Sequence, residues 1–507
     1  MKKTFTLITA LVIAVASLSG CNSGDDKKNG SIPTVSIISP DNGRVNKADN
    51  EVIEEVGKKL GIKVDLNLVM AAEFQNKLNV MVASDTMPDI IRTINYDFFE
   101  YIQQNALYDM TDLIEKNGTN MKNYIPEEVW DRVRYDGKIY TIPNYNWAGK
   151  SVNVMRKDWL DKVGVGVPTN LDELRDAYLK MTYNDPDGNG KNDTFAHTTA
   201  GEITFVAFPD TFQHIFGAYG IQPGMYFEKD GTAIPASVTP EYKEALVYLN
   251  KLYQEDKVMD PDIFIVKTDQ ARQSLAQGRF GSVTGWWSLI PGVLIDQMKM
   301  KEKNPAVEWV KVPPITGPNG KKGLRSAGDV NGSASMSAKT KNPEAAFSLL
   351  DFVLGDEGAY LVAYGIEGKH HTKMPDHVEM TPEGKKGSED KWLDSLGMLL
   401  QRVDITMNNN KVSSPENWEY IEFARDTEIY SDLFEGVSTV EAQKYITDVK
   451  KVELEWLAKF VTGREPVSNF DAYIADWKAK GGQQMLDSLT KEYNTRAGTN
   501  LKSFTVQ

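Results

Sequence analysis

A strand–helix–strand–helix–strand rhythm over residues 35–91 constrains the fold of this chain more than any other feature. Residues 35–38 (VSII) are a short apolar run of strand type. Residues 48–60 carry charged and apolar side chains at helical spacing and stop at Gly61, a residue suited to the left-handed turn that ends helices. From Ile62 to Val69 apolar and polar residues alternate, the pattern of a half-buried strand. Residues 73–82 return to helical spacing, and residues 83–91 (ASDTMPDII) read as a turn running into a third strand. Parallel strands need crossover helices, which cover the faces of the sheet, so the rhythm predicts an α/β fold.

At 507 residues the chain is too long for one ordinary core, and two large lobes are expected. The formal charge is −14, and it becomes −16 once Lys2 and Lys3 are removed with residues 1–20. A polyanion of this kind is unsuited to binding nucleic acid through its surface. After residue 20 no apolar run approaches the roughly 20 residues of a membrane-spanning helix. Residues 1–20 differ: Lys2 and Lys3 precede an apolar stretch from Leu7 to Leu18, the layout of an export signal peptide. Leu18-Ser19-Gly20-Cys21 follows, and Cys21 is the single cysteine, so no internal disulfide framework exists. A lone cysteine directly after small residues resembles a bacterial lipobox. That resemblance implies that Cys21 is acylated (a palmitate-type anchor) and holds the chain on the outer face of the cell membrane. Residues 22–31 (NSGDDKKNGS) read as a flexible tether.

Residues 185–193 (DPDGNGKND) place Asp185, Asp187, Asn189, the Lys191 carbonyl and Asp193 at positions 1, 3, 5, 7 and 9 of an EF-hand-like loop. Gly190 falls at position 6, where the sharp turn requires it. Position 12 is Ala196 and not the bidentate Glu. The loop is therefore a candidate Ca²⁺ site of structural kind, set against an ordinary Asp/Asn/Gly turn.

Seven segments, in order between residues 83 and 370, resemble the extracellular solute-binding proteins (family 1) of bacterial ABC sugar importers. They are residues 83–91, residues 136–143 (DGKIYTIP) and residues 154–164 (VMRKDWLDKVG) with Pro168-Thr169 and Asp172-Glu173-Leu174. Residues 241–262, residues 277–281 (QGRFG) followed by Trp286-Trp287, residues 338–353 (AKTKNPEAAFSLLDFV) and residues 364–370 (YGIEGKH) complete the set. The last resembles a lipoprotein branch that includes alginate-oligosaccharide receptors. The resemblance implies two α/β lobes, the periplasmic-binding-protein-like fold, with the ligand cleft between them. Crossings are expected near 145–149, 311–315 and 359–365. That makes lobe 1 residues 32–147 plus about 313–362, and lobe 2 residues 148–312 plus about 363–507, with a helical tail from about 380 to 500. The same branch carries a calcium loop at this place. Its pattern adds a Glu after the last Asp, where this chain has Thr194, leaving one charged ligand fewer.

Sugars offer hydroxyls in the ring plane and weakly apolar C–H faces, so a receptor stacks aromatics on the faces and aims polar groups at the hydroxyls. The candidates are Tyr145 and Trp147 at the first expected crossing and Trp286 and Trp287 after the glycine-rich strand. Adjacent strand residues point to opposite sides, so one of that Trp pair is expected in the cleft. Trp392 and Trp418 are more distant candidates. The polar candidates are Arg92 at a strand's carboxyl end, Asn331 in a Gly/Ser-rich loop, and Glu367 and His370 beside a crossing. Arg92 or Arg325 would suit a uronate carboxylate. The neighbours His370 and His371 read as structural histidines rather than as a metal pair.

There is no GxSxG elbow, HExxH or P-loop, and Cys21 is taken by the anchor, so catalysis is not expected. The function expected is a lipid-anchored extracellular receptor that captures oligosaccharides and delivers them to an ABC transporter permease. The alternatives are a receptor for peptides or another solute, and a secreted carbohydrate-active lipoprotein.

Overall fold

A computed structural model describes residues 32–41, 50–93, 98–147, 151–199, 203, 208–287, 307–326, 328, 330–413 and 415–506. The signal segment, Cys21 and the tether lie outside the described residues. The N-terminal rhythm is present: strand Thr34–Asp41, helix Glu51–Leu60, strand Lys63–Met70, helix Ala71–Ala83 and strand Ile90–Thr93. The first helix begins where the Asn50 side chain accepts hydrogen bonds from the backbone N–H groups of Val52 and Ile53. It ends at Gly61, whose φ of 65° is the left-handed value. Val52 and Val56, one turn apart, bury its inner face. The Thr34–Asp41 strand is paired on both sides and buried along most of its length, whereas Lys63–Met70 at the sheet edge keeps several residues exposed.

The first sheet runs in the order Lys63–Met70, Thr34–Asp41, Ile90–Thr93, Val330–Met336, Thr141–Tyr145. Only Val330–Met336 runs against its neighbours, with Ser333 opposite Thr93 and Val330 opposite Tyr145. The carboxyl ends of two strands and the amino end of a third thus share one edge. The second sheet has the order Trp309–Val312, Ser151–Arg156, Phe280–Trp286, Phe195–Thr199. Here Ser151 lies opposite Trp286, Val312 opposite Asn153 and Thr199 opposite Thr284, so these ends also share an edge.

Two apolar cores follow. One joins Val35 through Ile142 with Val330 through Leu400; the other joins Met155 through Ile315 with Phe434 through Val506. A smaller aromatic cluster packs Val152, Val154, Val283 and Trp287 against Val403, Tyr420 and Ile421. The chain passes between the two halves from Tyr145 to Ser151, from Ser326 to Val330 and from Leu400 to Val403.

Two crossings lie elsewhere than expected. Val312 and Ile315 are buried in the second core, and the Ser326 N–H still donates to Tyr430 O there, so the return comes only after Ser326. The segment 359–365 is no crossing but the end of helix Asp356–Tyr364, whose Leu361 and Val362 pack into the first core. Residues up to Leu400 stay there as well, because Leu393, Leu396, Leu399 and Leu400 all fill the same core. The tail joins the second core from Val403 onward, through helices Val440–Val461, Phe470–Ala479 and Gly482–Ala497.

Candidate functional site

Six peptide steps from Tyr145 to Ser151 span at most roughly 20 Å, which brings the two polar sheet edges near one another. Open α/β sheets bind ligands beyond the carboxyl ends of their strands. On the first sheet that edge carries Arg92, Thr93, Asn144, Tyr145 and Asn331; on the second it carries Ser151, Thr199, Trp286 and Val312.

Asn144 ties the crossings together. It is 4% exposed, its Nδ2 donates to Asn331 O at 3.2 Å, and its Oδ1 accepts from Gln401 N at 2.9 Å. One side chain therefore links all three crossing segments. The Tyr124 hydroxyl adds a second tie, donating to Tyr145 O at 3.2 Å and accepting from Val403 N at 2.9 Å. Arg402 lies 4.6 Å over the Tyr124 ring and makes paired hydrogen bonds to Asp404 at 2.8 and 2.7 Å. Sequence reasoning missed Asn144, Tyr124 and Arg402. The one available signal was Asn144 standing directly before Tyr145 at a strand end.

Arg92 is the most buried arginine without a carboxylate partner among the described residues. It is 6% exposed, and its Nη2 donates to Asn331 O at 2.5 Å. Its Nε and Nη1 are buried without any partner, and burial pulls the guanidinium down to about 10. Arg325, by contrast, is held in the second half, its N–H donating to Gln213 Oε1 at 3.0 Å with Asp432 nearby.

Tyr145 is half-buried, with its ring edge-on to Tyr124 at 5.6 Å, and Asn331 is exposed. The Trp pair divides: Trp286 is half-buried at the strand end, while Trp287 is 8% exposed inside the aromatic cluster. Trp147 and Trp418 pack on that same cluster, and the Lys411 ammonium lies 4.6 Å over the Trp418 ring. Trp392 meets His370 edge-on at 5.7 Å.

Two of the candidate residues do not join this edge. His370 is fully buried; its Nδ1 accepts from Ile366 N at 3.0 Å and its Nε2 lies 2.8 Å from Glu51 Oε1, so neither nitrogen is left for a sugar hydroxyl. Glu367 is exposed on the turn between Tyr364 and His371, a segment that packs on the first core rather than crossing between halves. The His371 Nδ1 is engaged as well, 3.1 Å from Tyr364 O.

The Asp185 loop sits between helix Leu171–Tyr183 and strand Phe195–Thr199. Gly188 and Gly190 take φ values of 73° and 77°, which let it curl. Asp185 accepts from the N–H groups of Asn189 and Gly190 at 3.0 and 3.1 Å. The Asn189 amide donates to Asp187 Oδ2 at 2.7 Å and to Asp193 Oδ1 at 3.0 Å. Partial burial, with Asp185 and Asp193 beside it, pushes the Asp187 carboxyl above its usual range. That amide turns its nitrogen toward Asp187 and Asp193, while its Oδ1 accepts from Lys191 N at 2.8 Å. The three carboxylates supply the chemistry a hard cation takes, but the amide oxygen would have to turn to join them. Thr194 and Ala196 contribute nothing to such a site. Thr194 Oγ1 turns inward to Met181 O at 3.1 Å, and Ala196 is fully buried. The loop meets the sheet at Phe195, the end opposite Thr199 and about 13 Å from it at roughly 3.3 Å per residue.

Residues 41–360 match the family of bacterial extracellular solute-binding proteins. The polygalacturonan/rhamnogalacturonan-binding protein YtcQ of Bacillus subtilis is 25% identical over 456 residues, 88% of this chain and 88% of its own. Lipoprotein LipO of the same organism is 24% identical over 501 residues, 96% of this chain and 98% of its own. Among solved structures, the alginate-binding protein AlgQ2, determined without calcium ion, superposes with a TM-score of 0.67 at 20% identity, covering 92% of this chain and 99% of that one. This chain belongs to the bacterial extracellular solute-binding protein family and has its two-lobed α/β fold.

Proposed function

We propose that this protein is a lipid-anchored receptor that captures an oligosaccharide outside the cell and delivers it to an ABC transporter permease. The observation that carries this is the pair of polar sheet edges brought together by three crossings and furnished with Tyr145, Trp286, Asn331 and Arg92. The moving lobes are residues 33–145 with 330–402, and residues 151–326 with 403–506. Ligand held by one lobe favours the closed arrangement through the contacts it adds to the other. Closure buries the sugar and forms the surface that a permease reads. Trp286 and Tyr145 offer rings for C–H faces, and Asn331 offers an exposed amide for hydroxyls. YtcQ and AlgQ2 support a sugar ligand by the glycans in their names, and LipO supports acylation at Cys21 by its name.

Asp185, Asp187, Asn189, Asp193 and the Lys191 carbonyl would hold a Ca²⁺ ion as a structural clip. Bound there, the ion neutralises the crowded carboxylates and fixes the loop to the second lobe. The site needs no switching role, because the loop enters the sheet at the end away from the ligand edge.

Titration of the intrinsic tryptophan fluorescence with oligosaccharide and peptide panels tests the reading, with the bound molecule recovered and weighed. Saturable binding of an oligosaccharide that is returned intact is expected. Preference for peptides, or recovery of a shortened sugar, would overturn it.

A further inference from the structure

We propose that Arg92 binds a carboxylate of the ligand, and hence that the captured oligosaccharide is acidic; this rests on the oligosaccharide-receptor reading. A buried guanidinium without a counter-ion is costly, because water is lost and nothing replaces its charge stabilisation. Arg92 makes a single hydrogen bond, to the Asn331 carbonyl, and among the described residues no carboxylate pairs with it. Other inner arginines are answered: Arg156 by Asp158, Arg175 by Asp256 and Arg402 by Asp404. Three inner arginines are thus given a carboxylate by the chain, and Arg92, the most buried one without such a pair among the described residues, lies at the sheet edge where a ligand is expected.

The unanswered N–H groups call for an anion rather than a neutral group. Gly332 lies against the guanidinium, and a Cβ there would stand 2.8 Å from Nη1 and 2.9 Å from Cζ. The absent side chain is what lets the guanidinium lie against this backbone. A hydroxyl could accept one N–H, but it would leave the buried positive charge uncancelled. A carboxylate cancels the charge and offers about four acceptor sites to the unanswered N–H groups. The long arginine stem lets the guanidinium swing toward the edge once an anion is there to receive it.

The contact also reaches the crossings. Asn331 O accepts from both Arg92 and Asn144, and Asn144 in turn holds Gln401 of the third crossing. Drawing Arg92 toward a ligand carboxylate releases that carbonyl at the segment about which the lobes turn, so binding of the acid is coupled to closure.

Calorimetry on the full chain, with a panel of uronate trisaccharides and their carboxyl-reduced counterparts, tests this. The parent is expected to prefer an acid over its reduced form by about a hundredfold. Arg92→Met should abolish that preference and leave the unliganded melting temperature unchanged or raised, since it removes an unpaired buried charge. Should Arg92→Met fail to fold, Arg92→Lys keeps the charge without the planar fork and should still lose about tenfold of the preference. Equal binding of acid and reduced sugars by the parent would overturn the proposal while leaving the receptor reading intact. Preference retained by the Arg92 variants would overturn it as well. Failure of every sugar to bind the parent would instead overturn the receptor reading.

Discussion

Arg92 and the Asp185 loop are both places where the fold leaves charge over, and they differ in sign, depth and position. Arg92 is a single cation buried at the edge by the crossings, with two nitrogens unanswered. The loop is a set of carboxylates near the surface at the opposite end of the second sheet, answered by backbone N–H groups, the Asn189 amide and the Lys162 ammonium near Asp185. An unbalanced charge is tolerated where something from outside completes it. At the crossings the completing group arrives with the ligand and should govern affinity. At the loop it arrives as an inorganic cation and should govern stability alone.

Substitutions can break this contrast, and the largest effect expected is on binding: Trp286→Ala, by removing a stacking face at the same edge, should weaken oligosaccharide affinity by about tenfold to a hundredfold with little change in melting temperature. Loss of stability without loss of affinity, measured by calorimetry and thermal melting, would move Trp286 out of the site and into the core. Asn144→Ala should do both things at once. It leaves the Gln401 N–H unanswered and removes one of the two donors to Asn331 O, which costs about 1–2 kcal/mol, and it loosens all three crossings. Melting several degrees lower together with a changed affinity is the expected signature.

Chelation tests the other pole. Removing Ca²⁺ held at a hundredfold above its dissociation constant should cost about 2.7 kcal/mol of stability, while sugar affinity stays within about twofold. Asp187→Ala should reproduce the chelated protein; if it abolished sugar binding in a folded chain, the separation of the two sites would fail. The smallest effect is on pH. The folded Asp187 carboxyl titrates above its ordinary range, so in metal-free protein its protonation favours the fold at low pH and that support is lost as pH rises through the raised value. Calcium competes with that proton, so its stabilising increment should grow over the same interval when melting is followed against pH.

Local features were legible in the sequence and distant pairings were not. The helix starting after Asn50 and ending at Gly61, the strand from Lys63 and the converging Asp185 loop all depend on residues within a dozen positions of one another. The hinge ties do not: Asn144 meets Gln401 across 257 positions and Tyr124 meets Val403 across 279. Nothing in either local pattern announces the other. The segment 359–365 misled because a helix ending in Tyr364-Gly365 reads equally well as a departure or a return. Burial of Leu361, Val362 and the later leucines up to Leu400 decides it for the first core. His370 followed from that displacement, since a histidine beside a supposed crossing proved to be a fully buried link to Glu51.

The central claim is that two lobes close on a captured oligosaccharide, and small-angle X-ray scattering of the full chain with and without saturating ligand tests it most directly. A smaller radius of gyration in the saturated sample is predicted. An unchanged radius at a ligand concentration where calorimetry shows the site to be full would contradict the account.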